Sequence, residues 1–133
     1  MSVTESIASH EAALVGRLTF LDTGTSAAKI QLYDGARPLV GIAPSVGNNL
    51  IAEVTLQDPS GSVSANALHL LASTTPATVL YTGTPTWARA LNGNGATAFD
   101  MDCGLTGSGA ECILTDAVLY AGGVVTIVSA TLG

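Results

Sequence analysis

Near the start of the chain, apolar residues return at helical intervals: Ile7, Leu14, Leu18 and Leu21 follow one stripe, while Ser6, Ser9, His10 and Arg17 take other positions. This spacing predicts a helix somewhere within residues 4–21. Ser2 and Glu5 stand at the S-x-x-E spacing of a capping box. The Asp22-Thr23-Gly24-Thr25 stretch should end the helix, because glycine readily adopts the conformation in which a chain leaves one. Two roles are open for it: a helix packed on its own domain, or an arm docking on a neighbouring subunit.

After Ser26 the period shortens from about 3.6 to 2. Lys29-Ile30-Gln31-Leu32-Tyr33 alternates, and Leu50, Ala52, Val54 and Leu56 fall on one face with Glu53 and Thr55 on the other. Further strands are predicted over residues 65–71, 78–81, 86–91, 97–102, 112–114 and 124–131. Asn92-Gly93-Asn94-Gly95 should join two of them as a hairpin, since Asn-Gly tolerates the positive φ of a primed turn. Residues 34–49 hold Asp34-Gly35, Pro38, Gly41, Pro44, Gly47 and Asn48-Asn49, too many breakers for one regular element. Leu39, Val40, Ile42 and Val46 make this loop unusually apolar, so it should lie against the end of its own domain or against another subunit. Short strands separated by Gly, Pro, Ser and Asn predict a mainly β chain: an antiparallel β-sandwich or jelly roll over residues 26–133, preceded by a helix or arm over residues 1–25. Trp87, Phe99 and Tyr81 should contribute to its core.

Composition changes this picture in one respect. The chain has 133 residues, of which 47% are hydrophobic and 11% charged. An ordinary soluble domain is about 25% charged, so much of this surface is expected to be covered by copies of itself or by a larger assembly. The net charge is −6, and Arg17, Lys29, Arg37 and Arg89 are scattered, which argues against a nucleic-acid partner that needs several cations on one face. No run approaches the roughly 20 apolar residues of a membrane-spanning helix. The N-terminus lacks a basic region before an apolar run, which predicts cytoplasmic synthesis without a cleaved signal. Cys103 and Cys112 lack CxxC spacing and are expected to be free thiols.

Candidate chemistry is sparse. Asp100, Asp102 and Glu111 form the acidic cluster, but Gly104 stands where a calcium loop needs a ligand; solvated or amide-capping carboxylates account for them. His10 and His69 have no partner at ligand spacing. Ser108 sits in Gly107-Ser108-Gly109, which a turn explains, and no nucleophile or nucleotide-binding motif surrounds it. Trp87 and Arg89 share one strand face: an exposed Trp87 would suit a sugar platform, whereas a core Trp87 with Arg89 reaching to the rim is the simpler expectation. We therefore expect neither an enzyme nor a cofactor or metal requirement.

The succession of Ile30-Gln31-Leu32-Tyr33-Asp34-Gly35-Ala36-Arg37-Pro38, Asn49-Leu50-Ile51-Ala52-Glu53-Val54-Thr55-Leu56, Gly83-Thr84-Pro85-Thr86-Trp87-Ala88-Arg89, and Gly122-Gly123-Val124-Val125-Thr126-Ile127 with Ser129 resembles small virion-associated proteins encoded among the structural genes of tailed bacteriophages. The likeness covers roughly residues 28–131 and rests on packing and turn signatures. It implies a β-sandwich or jelly-roll cement, decoration or tail-attachment subunit located in the virion and assembled in the bacterial host cytoplasm. On this reading the chain is a homo-oligomer bridging major capsid subunits, with Leu14 and Leu18 of the helix and Leu39, Val40, Ile42 and Val46 of the loop as contacts. The alternative is a tail or fibre module that binds host carbohydrate, which a row of exposed tyrosines would favour.

Overall fold

A computed structural model describes residues 4–133. The chain is mainly β with one N-terminal helix. Helix α1 spans Ile7–Leu21 and is capped by Ser6, whose Oγ accepts a hydrogen bond from the Ser9 N–H at 3.1 Å. Ser2 of the expected capping box lies outside the described residues, and Glu5 instead bonds the side chains of Ser9 and His10. The helix ends as expected at Asp22, before Gly24.

The strands are β1 Lys29–Tyr33, β2 Leu50–Ser64, β3 Ala67–Ala72, β4 Ala77–Thr78, β5 Trp87–Leu91, β6 Thr97–Gly104, β7 Cys112–Leu114, β8 Val124–Val125 and β9 Ile127–Leu132. Seven of them close into a barrel in the order β1-β2-β3-β9-β7-β6-β5, with β5 returning to β1. The expected sandwich or jelly roll thus gives way to a single sheet joined edge to edge. Closure removes the unpaired edges that an open sheet of this size would present. Only the β6–β7 seam is parallel among the barrel pairings.

Period-2 alternation decides what fills the barrel. Ile30, Leu32, Ala52, Val54, Leu56, Leu68, Leu70, Ala88, Ala90, Met101, Cys112, Leu114 and Ala130 form one buried apolar cluster. Helix α1 packs on β2 and β3 and adds Leu14 and Leu21, both fully buried, to that cluster. Two polar ties fix the helix. Asp22 Oδ1 accepts from Ser60 N at 2.9 Å and Ser60 Oγ at 2.6 Å, and Glu11 Oε2 accepts from Asn66 N at 3.1 Å. The helix therefore packs on its own domain.

Turn chemistry departs from expectation at the β5–β6 hairpin. Between β5 and β6, Asn92 N donates to Ala96 O and Gly95 N to Asn92 O, with φ of +82° at Gly95. This is a three-residue loop closed by a left-handed glycine, where a two-residue primed turn was expected. The left-handed two-residue turn lies elsewhere, at Ala65 and Asn66 (φ +50° and +62°) between β2 and β3. Asn accepts that conformation readily, but Ala pays for it sterically.

Candidate interaction surface

The outer face of the β2-β1-β5-β6 wall carries a second cluster, separate from the barrel interior. Register places Glu53 beside Gln31, Gln31 beside Arg89, Arg89 beside Asp100, and Tyr33 beside Trp87. Their side chains connect accordingly. Gln31 Nε2 donates to Glu53 at 2.8 Å, and the Tyr33 hydroxyl donates to Gln31 Oε1 at 2.8 Å. The Tyr33 and Trp87 rings stack with centroids 4.6 Å apart and planes 14° from parallel. The Arg89 guanidinium sits 5.2 Å from the Trp87 ring centre and grips Asp100 with two hydrogen bonds of 2.8 and 3.1 Å.

This cluster corrects two expectations. Trp87 is fully buried, as anticipated, but Arg89 does not reach to the rim: its side chain is 5% exposed and that of Asp100 4%. Neither is Asp100 a solvated or amide-capping carboxylate. A buried guanidinium and carboxylate coexist because each neutralises the other through a planar two-point contact. The hydrogen bond to Asp100 raises the Arg89 pKa above its already high ordinary value, so the cation is permanent. Burial, foremost, raises that of the Tyr33 hydroxyl. No buried side-chain nitrogen or oxygen among the described residues lacks a partner.

The 34–49 loop is rooted on this cluster. Trp87 Nε1 donates to Asp34 O at 3.2 Å and Thr86 Oγ1 to Gly35 O at 2.7 Å. A polar clamp joins the two ends of the loop. Asp34 Oδ1 accepts from Asn49 N at 2.6 Å, Asp34 Oδ2 from Asn49 Nδ2 at 3.1 Å, and Asn48 Nδ2 donates to the carbonyls of Asp34 and Ala36. Gly35 lies at φ +74°, and a Cβ there would come within 2.6 Å of Gly47 O, so glycine is required where the ends cross. Arg37 pairs with Asp102 at 3.1 Å on the surface.

Beyond this root the loop turns its apolar residues outward. Leu39 is 81% exposed, Val40 63%, Ile42 56% and Val46 103%. The expectation that this segment lies against the end of its own domain fails for these four side chains. Val40 also borders an open groove of about 770 Å³ whose other walls are Phe20 and Gly16 of α1, Phe99 of β6 and Leu132 of β9. Val40 and Phe99 recur in an adjoining recess with Leu39, Pro38, Arg37 and Asp100, so helix, groove and loop form one continuous surface whose apolar side chains are interspersed with Arg17, Arg37 and Asp100. Of the two helix contacts expected from the sequence, Leu14 is fully buried in its own core and Leu18 packs partly against it. Phe20, 41% exposed, lines the groove together with Ala13 and Arg17 of the same helix.

A second apolar surface went unrecognised in the sequence. Segments 77–83 and 119–125 run antiparallel as a ribbon, through β4 and β8 and the Gly83–Leu119 bridge. Val79, Leu119 and Val125 point inward, while Leu80, Tyr120 and Val124 are 60–67% exposed. Tyr81, expected in the core, is 49% exposed.

The remaining sequence candidates fall apart in space or into local roles. Asp102 is taken by Arg37, and Glu111 accepts from the Asp102 N–H at 3.1 Å. His10 of α1 lies beside Glu5, which precedes the helix, and His69 of β3 bonds the Ser64 carbonyl at the end of β2. Ser108 closes a turn between the left-handed Gly107 and Gly109. Among the described residues no three His, Cys, Asp or Glu side chains are grouped to hold a metal, and no helix is long and apolar enough to cross a membrane. Compared with known proteins, the chain matches no family model, no curated protein and no solved structure.

Proposed function

We propose that this chain is a structural subunit of a bacteriophage virion, a capsid cement or decoration protein that bridges major capsid subunits and packs against copies of itself. The observation that carries the reading is the 34–49 loop: a rigid, clamped root that holds four apolar side chains out in solvent, continuous with the groove beside Phe20. A loop serving only its own fold would turn those residues inward or replace them with polar ones. Its mechanism is mechanical and uses no catalysis or cofactor. Fully burying one such side chain contributes about 1.5–3 kcal/mol. Five of them, Phe20 included, give at most about 7–15 kcal/mol, comparable to the roughly 4–15 kcal/mol of freedom lost on association. One loop alone therefore attaches weakly, and stable attachment comes from several contacts made together across a shell.

The test is direct imaging of the intact particle at side-chain resolution. Density for this chain should lie across major capsid subunits with residues 39–46 buried in the contact. Absence of the chain from purified particles would end this reading.

A second reading, a tail or fibre module for host carbohydrate, draws on Tyr81 and Tyr120, which the uncharged ribbon exposes. The burial of Trp87 removes its strongest candidate platform. Binding of host-surface glycans that is lost in Tyr120→Ala, with the melt unchanged, would favour this second reading over the first.

A further inference from the structure

We propose that Cys103 and Cys112 form a modification site: a dithiol that a small-molecule disulfide closes into an intramolecular disulfide, stapling the β6–β7 seam. The inference is independent of the virion reading. This seam is the barrel's parallel junction and has only two register pairs, Cys103 with Cys112 and Gly104 with Ile113, against five between β1 and β5. Parallel pairing is also the slightly weaker kind per residue. The dithiol therefore lies where the barrel is closed by the fewest register pairs.

Geometry favours closure. Cys103 and Cys112 are direct partners on adjacent strands, and adjacent strands lie about 4.8 Å apart. A disulfide spans Cα atoms about 4.4–6.8 Å apart. Both side chains pack with the barrel interior, Cys112 fully buried and Cys103 half-buried. Cys103 also lines a recess of about 190 Å³ with Thr86, Leu105, Leu114 and Asp116, which gives a small oxidant a way in. Both cysteines are free in this structure.

The chemistry balances with a small-molecule disulfide as oxidant, a species met outside a reducing cytoplasm. Cys103 gives up its proton and its sulfur attacks the oxidant, forming a mixed disulfide and releasing one thiolate. Cys112 then passes its proton to a released thiolate, and its sulfur attacks Cys103 Sγ to expel the second. Two protein thiols are oxidised, and one disulfide is reduced to two thiols. The sulfur of Cys112, foremost, and burial hold the Cys103 proton in place, so the first attack is the slow step.

The test uses the full chain, purified reduced and incubated with oxidised glutathione, then alkylated in denaturant and mapped by mass spectrometry. Alkylatable thiols should fall from two to none, with a mass loss of two hydrogens and a linked Cys103/Cys112 peptide. The melting midpoint should rise by about 5–10 °C and return on reduction, the size suited to a short closed loop. Cys103→Ser should leave Cys112 unmodified by glutathione under native conditions. Two thiols still alkylatable, a stable glutathione adduct, a link only between chains, or a lower midpoint on closure would each overturn the proposal.

Discussion

Replacing Asp100 with Asn removes one charge from the outer cluster while keeping the side chain's size. The partner left behind, Arg89, has a 5% exposed side chain and cannot shed its proton or turn to water without disrupting the Trp87 contact. Removing one member of a buried pair costs about 3–5 kcal/mol. The Asn carbonyl still accepts one guanidinium hydrogen bond and the Trp87 face still attracts the cation, which together offset roughly 1 kcal/mol. The net loss expected is about 2–4 kcal/mol. For 133 residues the unfolding entropy is about 0.28 kcal/mol/K, so the midpoint should fall by about 7–14 °C. Calorimetry at neutral pH measures this. The double variant Arg89→Met with Asp100→Leu leaves no orphaned charge and should recover most of the loss. A midpoint within 2 °C or so of the parent for Asp100→Asn, a small fraction of the expected shift, would show that the pair is solvated and that the cluster does not support the loop as described.

Three further outcomes separate core from surface and strained from relaxed backbone. Leu14→Ala should destabilise by about 2–5 kcal/mol in denaturant titration, whereas Leu39→Ala should change stability by less than about 0.5 kcal/mol; equal effects would overturn the burial assignment. Gly35→Ala should cost at least about 1–2 kcal/mol, from its positive φ and the approach of Gly47 O, and amide hydrogen exchange should then show faster opening at Asn48 and Asn49. Ala65→Gly should stabilise by about 0.5–1 kcal/mol, relief of the left-handed strain less the added freedom of the unfolded chain.

Local patterns in the sequence carried the elements further than their assembly. Alternation at residues 29–33 and 50–56 marked β1 and the first half of β2, because each strand has one buried face. β2 continues through Pro59 to Ser64, across a break in register between Leu56 and Gly61, where alternation fails. Barrel closure depends on β9 pairing with both β3 and β7 and on the β6–β7 seam, contacts that leave no periodic trace. Extending the hairpin strictly from Asn92 and Ala96 would set Arg89 opposite Phe99; the register shift between Ala90 and Leu91 moves it opposite Asp100, and the burial of the pair follows from the neighbouring strands. The loop announced itself through Leu39, Val40, Ile42 and Val46. The Asp34, Asn48 and Asn49 clamp that holds it open looks, in sequence, like ordinary turn residues.

The central claim, that the clamped loop is a contact surface for assembly, is tested most directly by Ile42→Asp on two readouts: the melting midpoint of the isolated chain, and its occupancy on the capsid shells that the proposed function would have it decorate, prepared without the parent protein. Ile42 is 56% exposed, so the isolated fold should melt within about 2 °C of the parent. Burying an unpaired carboxylate in the contact costs several kcal/mol, and loss at every copy multiplies the effect, so occupancy should be abolished. An unchanged melt with full occupancy would contradict the account.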